Sequence, residues 1–223
     1  MKKMSHFLST AEGKFLGAIG LIIVILLGYW MYATPASTES ATSTNVEVSA
    51  TDHVRGAKDG KVTLVEFGDF QCPACGIYEP IVRQVTADNK DTLKVVFRHF
   101  PLTQIHRNAL LAAKATEAAS LQGKFWEMHD TLYDKQEEWG EAISARDFFI
   151  SYATTLKLDV NKFKIDIDNK AIEDKILAEL KEGVNLGIQG TPTFFINGKK
   201  VEDNPQSLAD FDKLIKAAGI GTR

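Results

Sequence analysis

The chain has 223 residues, of which 44% are hydrophobic and 25% are charged. This is the composition of an ordinary globular protein, and it excludes a disordered chain, a collagen-like repeat and a polytopic membrane protein. The formal net charge of −3 provides no basic excess to neutralise a phosphate backbone, so we expect no nucleic-acid partner. The length suits one medium-sized domain with additional segments.

An uncharged apolar segment lies near the N-terminus. Residues 15–33 form a run of 19 residues without a charge, which as a helix is just long enough to cross a hydrocarbon core of about 30 Å. Lys2, Lys3 and Lys14 precede this run, and the first charges after it are acidic. The positive-inside rule therefore predicts a single transmembrane anchor, with residues 1–14 in the cytoplasm and the rest of the chain outside. A cleaved signal peptide is the alternative, but its apolar core is usually shorter, about 7–15 residues.

A polar stretch separates this segment from the remainder of the chain. Residues 34–52 are rich in Ser, Thr and Ala, contain no aromatic residue and show no helical or strand period. Such a composition predicts a flexible linker that holds a domain away from the membrane. We therefore expect one extracytoplasmic domain over residues 53–223.

Within this domain, strand patterns are separated by helical patterns. The predicted elements, in chain order, are a buried strand at 61–67, a helix from the cysteines to about 85, a strand at 93–97, helices between about 104 and 186, a hairpin at 193–201 and an amphipathic helix from about 208. The hairpin prediction rests on the dipeptide Asn197-Gly198 between two short strand patterns. Strands separated by helices predict an α/β fold with a sheet that is covered on both faces.

Cys72 and Cys75, the two cysteines of the chain, are separated by two residues. Such a pair is usually half of a metal site, an inert structural pair or a redox dithiol. A structural zinc site normally needs four ligands, and the chain has no second pair of cysteines. A disulfide that closes so short a loop removes little chain entropy, so it stabilises a fold poorly.

The position of the two cysteines favours the redox interpretation. Cys72 lies where the buried strand turns into a helix, so its sulfur would face the unpaired N–H groups and the positive end of the helix dipole. These interactions lower the pKa of a thiol and make it a better nucleophile at neutral pH. We therefore interpret Cys72 as the attacking thiolate and Cys75, one turn into the helix, as the more buried resolving thiol.

Two motifs carry a resemblance to a known family. The sequence EFGDFQCPAC at 66–75 resembles the active-site region of the thioredoxin superfamily, and GTPTF at 190–194 resembles its cis-proline loop. The helical block between them is similar to the insertion of the DsbA-like thiol:disulfide oxidoreductases, especially the membrane-anchored forms. The resemblance covers about residues 53–219. It implies a thioredoxin fold, a central mixed sheet flanked by helices, with a helical insertion at about 104–186.

The resemblance implies a role for each matching position. Cys72 would form mixed disulfides with clients, and Cys75 would resolve them. Pro192 would follow a cis peptide bond, and Thr191 would expose backbone groups that pair with an extended client peptide. Glu66 matches the buried acid that moves a proton to or from the resolving thiol, although an outward-facing strand residue is the alternative for this position.

The chain departs from the oxidising DsbA enzymes at one position of the motif. Those enzymes commonly carry a His before the second cysteine, where it stabilises the thiolate, and this chain has Ala74. Weaker thiolate stabilisation favours the reduced form less. We therefore expect a weaker oxidant than the enzyme that defines the class.

The resulting prediction is an extracytoplasmic thiol:disulfide oxidoreductase that introduces disulfide bonds into secreted or periplasmic client proteins with free thiols. The resemblance implies reoxidation by a quinone-linked membrane partner of the DsbB or VKOR type, and we expect no bound cofactor and no metal. A membrane-tethered reductase or isomerase is the first alternative. The second alternative belongs to another class, a copper-binding module that uses the two thiolates or a chaperone-like module that uses the helical groove.

Overall fold

The computed structural model describes residues 22–30 and 45–220. Residues 22–30 are helical and exposed. Among the described residues, no helix combines the length and the apolar character needed to cross a membrane. The predicted cytoplasmic segment 1–14, the remainder of the predicted anchor 15–33 and residues 34–44 of the predicted linker lie outside the described residues.

Within residues 45–220, strands at the beginning and end of the domain enclose a block of helices. The first part contains β1 (His53–Gly56), β2 (Val62–Gly68), α1 (Pro73–Asp88) and β3 (Leu93–His99). Six consecutive helices follow: α2 (Ala109–Ser120), α3 (Phe125–Asp134), α4 (Gln136–Trp139), α5 (Arg146–Thr155), α6 (Val160–Asp166) and α7 (Lys170–Asn185). The last part contains β4 (Thr193–Ile196), β5 (Lys199–Lys200) and α8 (Leu208–Ile220). The helical insertion therefore lies between β3 and β4, as predicted.

The strands form one mixed sheet in the order β1-β3-β2-β4-β5. β2 and β3 are parallel, whereas the β1–β3, β2–β4 and β4–β5 pairs are antiparallel. β2 lies at the centre and is buried over almost its whole length, which explains why its sequence is mostly apolar. This arrangement confirms the predicted α/β fold of thioredoxin type with a mixed sheet.

The two faces of the sheet pack against different elements. Leu64 of β2 belongs to an apolar cluster with residues of α1 and α8, such as Val82 and Phe211. Its neighbour Val65 belongs to a second cluster on the opposite face. Because side chains alternate along a strand, Glu66 points to the same face as Leu64, the one covered by α1. The alternation thus directs a carboxyl group towards the helix that carries the cysteines.

Residues 45–52 pack against the domain, so the predicted flexible linker at 34–52 is wrong in this part. Val46 is buried, and its N–H donates to a carbonyl of the β4–β5 turn at 3.1 Å. The buried Arg98 side chain donates to both oxygens of the Asp52 carboxylate, at 3.0 and 2.7 Å. A polar sequence without a period does not reveal such contacts, because the partners lie far away in the chain.

Candidate active site

Cys72 and Cys75 lie at the beginning of α1. β2 ends at Gly68, and Cys72 occupies the N-cap position of α1 with extended backbone angles, φ −69° and ψ 121°. Pro73 follows in the first turn, a position that suits its fixed φ and its missing N–H. Cys72 is 8% exposed and Cys75 is fully buried, and both are free thiols. One sulfur is therefore accessible from the surface and the other is not.

The two thiols differ in acidity. The pKa of Cys72 is lowered to about 5, and the hydrogen bond from the Cys75 thiol makes the largest contribution. Hydrogen bonds from the Thr191 side chain and from the backbone at Cys75 and Ala74 lower this pKa as well, whereas burial raises it. Burial raises the pKa of Cys75 well above its ordinary value. At pH 7 Cys72 is therefore a thiolate and Cys75 a thiol, which is the arrangement of a nucleophile beside its resolving partner.

The loop before β4 approaches Cys72 from the sheet. β4 pairs with β2 so that Thr193 lies opposite Phe67, and this register brings Thr191 beside Cys72. The Cys72 thiol donates to the Thr191 carbonyl at 3.4 Å, and the Thr191–Pro192 peptide bond is cis. The Thr191 hydroxyl is buried and has no hydrogen-bond partner among the described residues. Once Cys72 loses its proton, this hydroxyl is available to the thiolate.

Glu66 lies within the sheet, 4% exposed, so the buried alternative applies to this position. Burial, the largest cause, together with the charges of Glu79 and Cys72, raises the pKa of Glu66 to about 8. At pH 7 the group is therefore mostly a neutral carboxylic acid. Burial and the hydrogen bond to Cys72 make the two largest contributions to the raised pKa of Cys75, and the charge of Glu66 makes the third. The two groups are coupled, so a proton on one affects the acidity of the other.

Gln136, at the beginning of α4, holds the active-site loop to the helical insertion. Its side-chain amide donates to the carbonyls of Phe70 and Cys72, at 2.7 and 2.9 Å. A Cβ atom at Gly76 would lie 2.7 Å from the Gln136 side-chain oxygen, so a larger residue there would push the Gln136 side chain out of its present position. The sequence analysis missed Gln136, since nothing in the pattern of a polar residue indicates which distant carbonyls it contacts.

A second set of polar contacts fixes the residues that precede Cys72. The Gln71 side chain donates to the carbonyl of the first residue after α4 and accepts from the Asn108 N–H, both at 2.7 Å. The buried Asp69 carboxylate accepts from the Gln71 N–H at 2.8 Å and pairs with Nδ1 of His106 at 2.7 Å. These contacts hold Cys72 between the sheet and the insertion. None of these residues was predicted as part of the site.

Among the described residues, one group brings three possible metal ligands together. Atoms of Glu79, His129 and Asp130 lie within 4.8 Å of one another. However, Glu79 already accepts two hydrogen bonds from Arg83, and Asp130 accepts two from Arg55. Both carboxylates are thus neutralised by guanidinium groups, which disfavours a bound cation. We assign this group to the packing of α1 against α3.

The described residues thus combine a fold of thioredoxin type, with a helical insertion between β3 and β4, and a dithiol whose two thiols differ in acidity. A family model described as thioredoxin matches residues 48–217. The chain therefore belongs to the thioredoxin family.

Solved structures share this fold. The oxidised form of BdbD from Bacillus subtilis is 24% identical with a TM-score of 0.66, over 76% of this chain and 94% of that chain. Alpha-DsbA1 from Wolbachia pipientis is 22% identical with a TM-score of 0.67, over 78% of this chain and 94% of that chain. The similarity covers 94% of each of these two neighbours, so the helical insertion is part of the shared fold.

Curated relatives of higher identity are much longer proteins. A protein named Na(+)/H(+) antiporter NhaA 1 from Salinispora arenicola is 40% identical over 173 residues, which are 77% of this chain and 25% of that protein. A protein named Na(+)/H(+) antiporter NhaA 3 from Salinispora tropica is 42% identical over 172 residues. The chain spans about a quarter of the length of these relatives.

Proposed function

We propose that this chain introduces disulfide bonds into secreted or periplasmic client proteins through the Cys72–Cys75 pair. The observation that carries this proposal is the pKa of Cys72, lowered to about 5 beside a buried Cys75. A thiolate that is stabilised in the reduced protein makes the disulfide form less stable by comparison. Such a disulfide transfers readily to client thiols, as a disulfide donor requires.

The exchange proceeds in two displacements that conserve electrons. A client thiolate attacks the Cys72 sulfur of the Cys72–Cys75 disulfide; a client–Cys72 bond forms and Cys75 leaves as a thiolate. A second client thiolate then attacks the client sulfur of this mixed disulfide and releases Cys72. The client loses two electrons and gains a disulfide, and the chain is left as the dithiol. Because the leaving thiolate of Cys72 is stabilised, the second displacement is fast.

Glu66 supplies the proton that the first displacement requires. Cys75 has a pKa raised well above its ordinary value by burial, so its leaving thiolate needs a proton at once. A carboxylic acid whose pKa is near 8 is protonated at neutral pH and is a suitable general acid. Solvent then reprotonates Glu66.

The proposed location is the outer face of a membrane, with reoxidation by a quinone-linked membrane partner. The uncharged run at 15–33 and the lysines before it support an N-terminal anchor with this orientation. The relatives named as Na(+)/H(+) antiporters support a membrane setting too, because an antiporter is a membrane protein. A membrane-impermeant maleimide should label the reduced dithiol in intact spheroplasts; labelling only after lysis would contradict this orientation.

The activity is tested by mixing the oxidised full chain, without oxygen, with an equal amount of a reduced peptide that contains two cysteines. We expect the peptide to lose two thiols and the chain to gain two. The C72S variant is the control and should leave the peptide reduced. If the peptide stays reduced with the unmodified chain, while the reduced chain opens a disulfide peptide completely, the chain is a reductase and the proposal is wrong.

A further inference from the structure

Two clefts are lined by residues that adjoin Cys72. The first, of about 620 Å³, is lined by the loop that contains Thr191 and Pro192. The second, of about 700 Å³, lies between the first turns of α1 and residues 133–141 of the helical insertion. We call this second space the insertion cleft. Its lining includes Gln71 and Pro73, the residues on either side of Cys72 in the chain, so the cleft adjoins the active-site loop.

The two clefts are close enough to the active-site loop to be reached by one client peptide. The Thr191 carbonyl lies 3.4 Å from the Cys72 sulfur, so a peptide paired with this loop passes close to the sulfur. A peptide that continues from Cys72 towards the helical insertion reaches the insertion cleft. The residues that adjoin the client cysteine on that side are therefore the ones that contact this cleft.

The insertion cleft is acidic. Its lining includes four carboxylates between positions 134 and 141 and one cation, Lys135. Asp134 pairs with Arg83, and Glu138 pairs with Lys135. Glu137 and Glu141 are exposed, and neither side chain forms a hydrogen bond or ion pair within residues 45–220. Two uncompensated negative charges thus lie at the rim.

The helix side of the same cleft is apolar. Ile77 of α1 lines it and is 69% exposed, a high value for a large aliphatic side chain one turn away from a reactive cysteine. Pro73 and Gly76 line it as well. The cleft therefore offers an apolar wall to aliphatic side-chain carbons and a carboxylate rim to a cation. Lysine and arginine combine both features, because their apolar stems end in a charged group.

We propose that the insertion cleft selects clients in which lysine or arginine lies next to the reactive cysteine. This inference rests on the proposed function and names its substrate class. The unpaired Glu137 and Glu141 attract the cation, and the stem packs on Ile77. Rim charges of this kind act mainly on the rate of association and make it dependent on salt.

The test uses three reduced peptides of identical sequence except for two residues beside the first cysteine, which are both Lys, both Gln or both Glu. Each is mixed with the oxidised full chain, and the second-order rate of oxidation is measured at low salt and in about 1 M salt, where charges are screened beyond about 3 Å. We expect the Lys peptide to react about fivefold faster than the Gln peptide at low salt, the Glu peptide to be slowest, and the differences to shrink in high salt.

The E137Q/E141Q variant should remove most of this preference, so that its rates with the Lys, Gln and Glu peptides become nearly equal. The matched control is D59N/D91N, which removes two exposed charges from the turns before β2 and β3 and should keep the preference. Equal rates for all three peptides with the unmodified chain, or an undiminished preference in E137Q/E141Q, would overturn the inference and leave the proposed function intact. Failure to oxidise any of the peptides would overturn both.

Discussion

The structural elements on the two sides of Cys72, the sheet and the helical insertion, contact different atoms of the active-site loop. The sheet side, which belongs to the thioredoxin-type part of the chain, acts on the sulfur: the Thr191 carbonyl lies 3.4 Å from it, and the Thr191 side chain contributes to the low pKa of Cys72. The insertion side acts on the backbone, because Gln136 donates to the carbonyls of Phe70 and Cys72. The sheet side therefore adds to the acidity of Cys72, to which Cys75 contributes most, whereas the insertion holds the shape of the loop and forms the surface around it.

This division has a physical basis. A hydrogen bond made to a thiolate stabilises the charged form directly and shifts the acidity of the group. A hydrogen bond made to a neighbouring carbonyl contributes equally to both protonation states, so it stabilises the fold without a comparable effect on acidity. Substitutions on the two sides of Cys72 should therefore separate chemistry from stability.

The largest effect is expected at the sulfur itself. C72S should reduce the rate of disulfide exchange to that of the solution without protein, because Cys75 is fully buried and a serine hydroxyl is not ionised at neutral pH. C75S should still attack disulfides but should accumulate a mixed disulfide, visible as a stable adduct by mass spectrometry. Full activity in C72S would contradict the assignment of the nucleophile.

The next effect concerns Glu66 and the pH dependence of stability. Its pKa is about 8 in the folded chain against an ordinary 4.5, so between these values the folded state holds a proton that the unfolded state has released. The free energy of unfolding therefore falls as pH rises through this range, by about 1.4 kcal/mol per pH unit from this group.

E66Q removes this fall. In urea denaturation of the reduced chains, the stability of E66Q relative to the parent should increase steadily from pH 5 to pH 8. When E66Q and the parent chain are compared at the same pH, the contribution of Cys72 cancels. This contribution has the opposite sign, because the lowered pKa of Cys72 favours the folded state as pH rises. A difference that does not change with pH would show that Glu66 titrates normally.

A smaller effect is expected on the insertion side. Q136A leaves two carbonyls without their side-chain donor and should lower the free energy of unfolding by about 1–3 kcal/mol, with little change in the pKa of Cys72. Q122A is the matched control, since Gln122 is an amide of the insertion whose hydrogen bonds with Asp159 are exposed. A large rise in the pKa of Cys72 in Q136A would contradict the division between the two sides.

The smallest effect is expected on the sheet side, where the nearly isosteric substitution T191V should change the pKa of Cys72 slightly. T191V removes the hydroxyl that supports the thiolate, so it should raise the pKa of Cys72 by less than about 1 and lower the reduction potential by less than about 30 mV. The pKa is measured from thiolate absorbance against pH. A pKa that is unchanged or lower would show that the hydroxyl does not act on the sulfur.

Local sequence signals predicted much of the fold. Asn197 and Gly198 both have positive φ, as the hairpin turn requires, and such a turn depends on two adjacent residues. The spacing of Cys72 and Cys75 likewise indicated a dithiol at the beginning of a helix. Each of these features is encoded by neighbours in sequence, so pattern alone was enough to find it.

Features that depend on distant partners were missed. β1 has four residues and contains His53 and Arg55, so no alternating apolar pattern identifies it as a strand. Residues 45–52 are held by contacts such as that between Asp52 and Arg98. Gln136 is one of three polar residues in the four-residue helix α4. Tertiary hydrogen bonds of this kind leave no periodic signal in the sequence.

The central claim is that the low pKa of Cys72 makes the chain a disulfide donor. A pKa of about 5 instead of the ordinary 9 stabilises the dithiol at pH 7 by about 3 kcal/mol, which corresponds to about 60 mV. The direct test is the reduction potential of the Cys72–Cys75 couple in the full chain, equilibrated against glutathione. We predict a value closer to that of DsbA, about −120 mV, than to that of thioredoxin, about −270 mV. A reduction potential close to that of thioredoxin would contradict the account and would indicate that the chain is a reductase.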